Sequence, residues 1–265
     1  SSLRGAVGGV QLAALEGGGR HGAEPGEATA TIAVPAADLP RAKEVVTQVD
    51  VELRAEHGRS SPEIQLRLEQ RAHAEDSALS EESTERLLDL MLLLPDGVLR
   101  QSAEIPGSVE TSSTIARVRQ EAPGMLEVLV VLRSTVPSAL RALKARVARA
   151  AQRLVATADF GAGFPGWTPN RTAPLVVMAQ EVFRKVEGRA VALASLHGSS
   201  EVAALLERIP HLEAVSFGPD VAGAKQPGEC VKVDSVEKTW DLTRRLLERL
   251  AASESLDSDL QAVDL

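Results

Sequence analysis

The sequence has one cysteine, no tyrosine, and only two tryptophans and four phenylalanines in 265 residues. The lone Cys230 excludes an internal disulfide and any multi-cysteine zinc knuckle, and it fits a reducing, cytoplasmic setting. The formal net charge is -8 and no basic stripe offsets it, so no nucleic-acid partner is expected. No apolar run reaches membrane-spanning length, so no membrane partner is expected either. The first residues, Ser1-Ser2-Leu3-Arg4-Gly5, carry neither an initiator methionine nor a basic-then-apolar signal pattern. Trimming accounts for that. So does a chain that starts partway through a longer protein, and that is the sharper expectation.

What is present divides into two styles of sequence. Val7, Val10, Leu12 and Leu15 give a weak strand, and a glycine-rich turn at 17–22 leads to a second strand at 28–34. A phosphate-cradling loop would need a helix after the glycines, so a β–turn–β connection is the reading. Leu39, Ala42, Val45, Val46, Val49 and Leu53 recur at helical spacing, with Asp38 as cap and Pro40 in the first turn. Residues 58–76 are charged and ambiguous, although Ile64, Leu66 and Leu68 alternate like a strand. A second helix covers 80–94, its acidic first turn suited to the helix dipole. Strands are expected at 98–102, 111–119 and 125–134, the last two forming a hairpin. A strong amphipathic helix follows at 137–157. Residues 1–157 therefore read as an α+β layer.

Gly161 to Pro169 (GAGFPGWTP) breaks this pattern like a domain boundary. Helix (171–187), strand (190–196), helix (200–208), strands (213–217 and 230–234) and helix (235–251) follow, an α/β alternation with too few strands for a whole doubly wound domain. An exposed sheet edge near 190–196 is expected. The tail from Ser253 is rich in Ser and Asp and reads as disordered. The focus of this half is Leu196-His197-Gly198-Ser199-Ser200-Glu201, where a histidine follows an apolar strand and precedes a helix. Ligands usually bind at that place in open α/β sheets. From the residues alone, a histidine beside a glycine is more often structural than a metal ligand.

Several segments together resemble the aminoacyl-histidine dipeptidase family, also called peptidase D or cytosol non-specific dipeptidase. In the second half these are Phe164-Pro165-Gly166-Trp167-Thr168-Pro169, His197 to Glu201, Val215-Ser216-Phe217-Gly218-Pro219, and Asp234-Ser235-Val236 with Trp240. In the first half they are Ala30-Thr31-Ile32-Ala33-Val34, Pro95-Asp96-Gly97-Val98-Leu99-Arg100, Val109-Glu110-Thr111-Ser112 and Leu132-Arg133-Ser134. The order is collinear over most of the chain. The resemblance implies an α/β fold with an α+β lid or dimerisation-like domain over 1–160 and the end of a zinc-peptidase catalytic domain over 161–252, which leaves the compositionally disordered tail over 253–265.

The resemblance also implies roles. His197 matches the ligand histidine of the family's H-x-G-x-E stretch, with Ser199 where the family has glycine. Arg133 becomes the clamp for the substrate's C-terminal carboxylate, a task its planar fork suits. Read alone, Arg133 is a snorkelling edge arginine. Gly166 and Trp167 fall in the loop returning from lid to catalytic domain, near substrate, where Trp167 read alone is an ordinary core or interface aromatic. Two departures stand out. Gly22 occupies the place of a substrate-holding asparagine, and Lys225 the place of a histidine. The remaining ligands and the general-base glutamate of a two-zinc site find no counterpart, and one ligand cannot build a catalytic zinc site. The expected function is thus part of a zinc-dependent dipeptidase acting on Xaa-His dipeptides, inactive alone. No catalytic residue is assigned, and a homodimer through the lid is possible. The alternative is a degenerate, non-catalytic relative serving as a dimerisation or interaction module.

Overall fold

A computed structural model describes residues 2–19, 25–71, 78–122, 124–195, 201–209, 211–224 and 228–261. In chain order the elements are α1 (Ser2–Ala6), β1 (Gln11–Gly18), β2 (Ala28–Ala33), a single 3-10 turn (Ala36–Asp38), α2 (Leu39–His57) and α3 (Glu81–Leu93). Then come β3 (Gly97–Gln101), β4 (Val109–Ala122), β5 (Met125–Ser134), α4 (Pro137–Arg153), α5 (Pro174–Glu187), α6 (Glu201–Arg208), β6 (Val221–Ala222), β7 (Cys230–Val231) and α7 (Val233–Gln261). The protein is α/β, with helices and an antiparallel sheet. Two compact units divide it. One comprises Ser1–Arg100, Thr111–Arg133 and Ser138–Gly161; the other Gln101–Glu110, Ser134–Pro137 and Ala162–Leu265.

The first unit carries most of a five-stranded sheet ordered β2-β1-β4-β3, with β5 also paired to β4. Gly18 makes the β1–β4 junction possible. Its φ is 76°, and a Cβ there would lie 2.0 Å from the Ala116 carbonyl oxygen, so only glycine lets the two strands approach. Val7, Val10 and Ala42 form a buried cluster, ringed by Leu3, Ile32, Val34 and Leu68. The Ser80 hydroxyl caps α3 by accepting the Ser83 N–H at 3.1 Å. Thr84, buried on α3, accepts the Leu12 N–H at 3.2 Å and fixes that helix to β1. Leu143, Val147 and Ala151 are the buried stripe of α4, at the helical spacing the sequence displays.

Two local expectations fail here for identifiable reasons. Asp38 precedes α2 but makes no side-chain cap. Residues 64–68 alternate like a strand yet form none, because the Leu66 N–H donates to the Asp50 carboxylate (2.6 Å) rather than to a neighbouring strand. Asp50 also accepts from Arg54 Nε at 2.8 Å. These bonds hold the segment along α2.

In the second unit α5 and α7 pack through Ala179, Val182, Leu242 and Leu246, with Val215 and Phe217 among the side chains sealing the cluster. Phe183 and Phe217 meet edge to face, centroids 5.2 Å apart. Glu213 accepts the Leu175 N–H at 2.8 Å, placing a carboxylate at the N-terminus of α5. Gly188, at φ 69°, ends that helix.

The strands expected at 190–196 and 213–217 do not form among the described residues. The strand expected at 230–234 shrinks to Cys230–Val231, paired only with Val221–Ala222. A strand needs a backbone neighbour, and among the described residues no strand pairs with 190–195 or 213–217. α7 continues to Gln261, past the point where the sequence reading begins a disordered tail. The Ser253 hydroxyl returns its hydrogen bond to the Leu250 carbonyl (2.7 Å), which lets the helix tolerate a polar residue there.

Candidate functional site

The feature best defined in the second unit is a tight seam between the residues after β5 and the 162–172 loop. Ser134 and Thr135 are buried. The Thr135 N–H donates to the Glu110 carbonyl at 2.9 Å. The Ser134 hydroxyl accepts the Val136 N–H at 3.1 Å and closes the turn. Gly166 lies directly on this turn. A Cβ on it would come within 2.4 Å of the Ser134 oxygen and 2.8 Å of the Thr135 carbonyl carbon and oxygen. The loop is held there by Thr168, whose hydroxyl donates to the Thr135 carbonyl at 2.8 Å.

A second set of bonds extends the seam. The loop after β3 is a knot in which the Ser102 N–H donates to the Ser108 carbonyl at 2.8 Å and the Ile105 N–H to the Ser102 hydroxyl at 3.1 Å. The Glu104 carbonyl accepts Arg171 Nη1 at 3.0 Å. The Ser108 hydroxyl accepts the Ser195 N–H at 3.2 Å. Ser195 lies two residues before His197 in sequence, so this bond anchors the chain leading into the histidine stretch.

Of the three residues singled out from the sequence, Gly166 sits in the seam. Arg133 is the penultimate residue of β5 and immediately precedes the Ser134–Thr135 turn; it is half-buried and has an interaction partner. His197 lies outside the described residues, as do Gly22 and Lys225. The sequence reading quotes Ser134 and Thr168 only as members of resembling segments, without a role, and does not single out Ser108. The partners of Ser108 and Thr168 are far away along the chain, and a serine or threonine in a loop carries no local mark of such a contact.

The carboxyl groups held below the usual range lie elsewhere. Asp50 is lowered chiefly by the Leu66 N–H, Glu127 by its bond from Arg117, and Asp241 by bonds from Arg244 and then Arg245. Two surface grooves, of about 360 and 280 Å³, are lined by α7 residues with Val186 and by α2 residues with Leu66 and Leu68. Neither includes Arg133 or Gly166. Among the described residues no group of three or more His, Cys, Asp or Glu side chains could hold a metal ion. These residues do not by themselves build the zinc site that the family resemblance implies.

The fold of this α/β protein has a solved counterpart. The crystal structure of aminoacylhistidine dipeptidase from Vibrio alginolyticus superposes with a TM-score of 0.76 at 25% identity, over 91% of this chain and 49% of that one. The cytosol non-specific dipeptidase of Escherichia coli (strain K12) is 26% identical over 243 residues, which is 92% of this chain and 50% of that protein. No protein-family model matches. The resemblance carried by the motifs is thus shown in both sequence and fold, and the proteins it points to are dipeptidases. The chain spans about half the length of these relatives.

Proposed function

We propose that this chain is one part of a metal-dependent dipeptidase, supplying the substrate-anchoring side of the site and a single metal ligand. The observation that carries the reading is the joint match, 92% of this chain against half of a dipeptidase, together with the Gly166 loop resting on the Ser134–Thr135 turn, which follows Arg133 in sequence. In this reading residues 1–160 are the lid, 161–252 the end of the catalytic domain, and 253–265 a tail outside both. Arg133 holds the C-terminal carboxylate of an Xaa-His dipeptide in a two-bond fork. Gly166 lets backbone approach the substrate closely. His197 is the one zinc ligand, and the remaining ligands and the general base come from polypeptide beyond this sequence. Cytosolic location and a homodimer through the lid belong to the same proposal. No helix among the described residues is long and apolar enough to cross a membrane.

Zinc titration tests the reading. The chain alone should bind zinc only weakly, since about three protein ligands make a catalytic site, and His197→Ala should abolish that binding. Tight zinc binding that survives His197→Ala would refute the ligand assignment. A second reading, a non-catalytic relative, is favoured by Gly22 and Lys225 standing where the family has asparagine and histidine. It requires that no partner polypeptide restore hydrolysis.

A further inference from the structure

Charge in the first unit is unevenly spread. Helix α4 carries Arg141, Lys144, Arg146, Arg149 and Arg153 and no Asp or Glu in 17 residues. The sequence expectation that no basic stripe stands against the overall charge of -8 fails at this helix. Leu143, Val147 and Ala151 form its buried side. At about 100° per residue, the four arginines fall within an arc of about 140° on the opposite side, over a length of about 18 Å. All four are exposed, and Ala142, Ala145 and Gln152 share their side of the helix.

This face lacks counter-charge. Elsewhere Arg54, Arg86, Arg117 and Arg244 each hold a carboxylate. Among the described residues none of the four α4 arginines does, and Arg149 Nη1 donates to the Gln152 side chain at 2.9 Å. Arg146, Arg149 and Arg153 follow one another at spacings of three and four, where like charges on a helix repel. The arrangement therefore works against the helix that displays it.

An independent observation lies at the end of the same helix. Val155 has φ 57° and is the one non-glycine residue with a left-handed backbone among the described residues. It stands where glycine usually ends a helix, with the Ala156 N–H donating to the Ala151 carbonyl at 2.9 Å. A β-branched residue is strained there. Val155 is 77% exposed, so burial does not offset the strain. Five residues on, Phe160 is also exposed, and Lys144 Nζ lies 5.8 Å from its ring centroid.

We propose that the outer face of α4, with Val155 at its end, docks an acidic protein segment that carries apolar side chains among its carboxylates. Arginine forks suit carboxylates, and the exposed valine offers an apolar contact that a bare polyanion does not use. No aromatic side chain stands on the arginine face to stack a base, and the chain's charge of -8 repels nucleic acid at a distance. A membrane surface calls for large apolar side chains on the docking face, where this helix has alanine. A second copy meeting this face symmetrically would set arginine against arginine. The proposal is independent of the dipeptidase reading.

The test uses the full chain and the fluorescence anisotropy of a labelled peptide in which leucines recur among glutamates. About twelve residues suffice to cover the face as a helix. An all-glutamate peptide of the same length, a single-stranded DNA oligonucleotide and phosphatidylglycerol vesicles are compared with it at about 0.1 M salt, where the screening length is about 10 Å. The leucine–glutamate peptide should bind below about 100 µM. Arg146→Glu combined with Arg149→Glu should weaken it at least about tenfold. Arg59→Glu, the same change of charge on an exposed arginine outside α4, should leave it nearly unchanged. Val155→Gly should weaken the leucine–glutamate peptide at least about threefold and spare the all-glutamate peptide. It should also melt no lower than the parent chain, because glycine accepts the left-handed backbone. The two arginines face solvent, so their variant should melt with the parent as well. No binding at about 100 µM, or binding indifferent to the arginine and Val155 changes, overturns the inference. Tighter binding of the DNA or the vesicles would assign the face to that ligand and overturn it. Self-association of the chain that the arginine change abolishes would assign the face to a second copy and overturn it too.

Discussion

Replacing Gly166 with alanine puts a methyl group where the Ser134 and Thr135 backbone already stands. The new carbon would lie 2.4 Å from the Ser134 oxygen and 2.8 Å from two Thr135 atoms. Ordinary carbon–oxygen contacts are roughly an ångström longer than the first of these. The obstacle is backbone, so no rotamer relieves it. The 162–172 loop must lift, and with it goes the Thr168 hydrogen bond to Thr135. Overpacking of this kind costs about 1–3 kcal/mol, and one lost hydrogen bond adds about 1 kcal/mol. A total of about 2–4 kcal/mol corresponds to a fall in melting temperature of roughly 5–15 °C for a chain of this size. Differential scanning calorimetry on Gly166→Ala reads it directly. Gly161→Ala is the control, because a Cβ there meets nothing within 4 Å. If Gly166→Ala melts with the parent chain, the close approach is wrong, and so is the seam built on it.

Gly18→Ala should be at least as damaging, about 3 kcal/mol or more, because it adds a left-handed φ of 76° to a backbone clash at the β1–β4 junction; urea unfolding of the variant measures this. Ser80→Ala removes the α3 cap and should cost about 1 kcal/mol in the same assay. For Asp50, whose folded pKa lies below its ordinary value of 3.8, the stabilising contribution is present above that value and is lost as the pH falls through the folded pKa. Asp50→Asn should therefore lower the melting temperature at pH 7 and leave it nearly unchanged at pH 2; an equal drop at both would contradict the assignment. In a complemented enzyme, Arg133→Lys should raise KM for a dipeptide at least about tenfold by breaking the two-bond fork, whereas an unchanged KM would remove Arg133 from the substrate's carboxylate.

Much of the first unit is written locally. The α2 and α4 stripes, Ser80 before α3 and the hairpin glycine after β4 are short-range signals, and the elements form where those signals stand. The second unit is less legible. The apolar run at 190–194 and the apolar residues at 213–217 read as strands, but strand formation depends on a neighbour that no local sequence supplies. The 64–68 alternation misleads for the opposite reason: Asp50, sixteen residues upstream, takes the Leu66 N–H. The candidate site divides in the same way. Arg133 and Gly166 stand out through family resemblance, while the reason Gly166 must be glycine exists only once Ser134 and Thr135 are brought against it from thirty residues away. Ser108 and Thr168 hold that arrangement without any signature of their own.

The central claim is the proposal that this chain carries one part of a dipeptidase site. The most direct measurement is the initial rate of Xaa-His dipeptide hydrolysis, with zinc present, by this chain alone, by the complementary dipeptidase half alone, and by the two mixed. The account predicts no activity above background from either alone and hydrolysis from the mixture. Turnover by this chain by itself would contradict it.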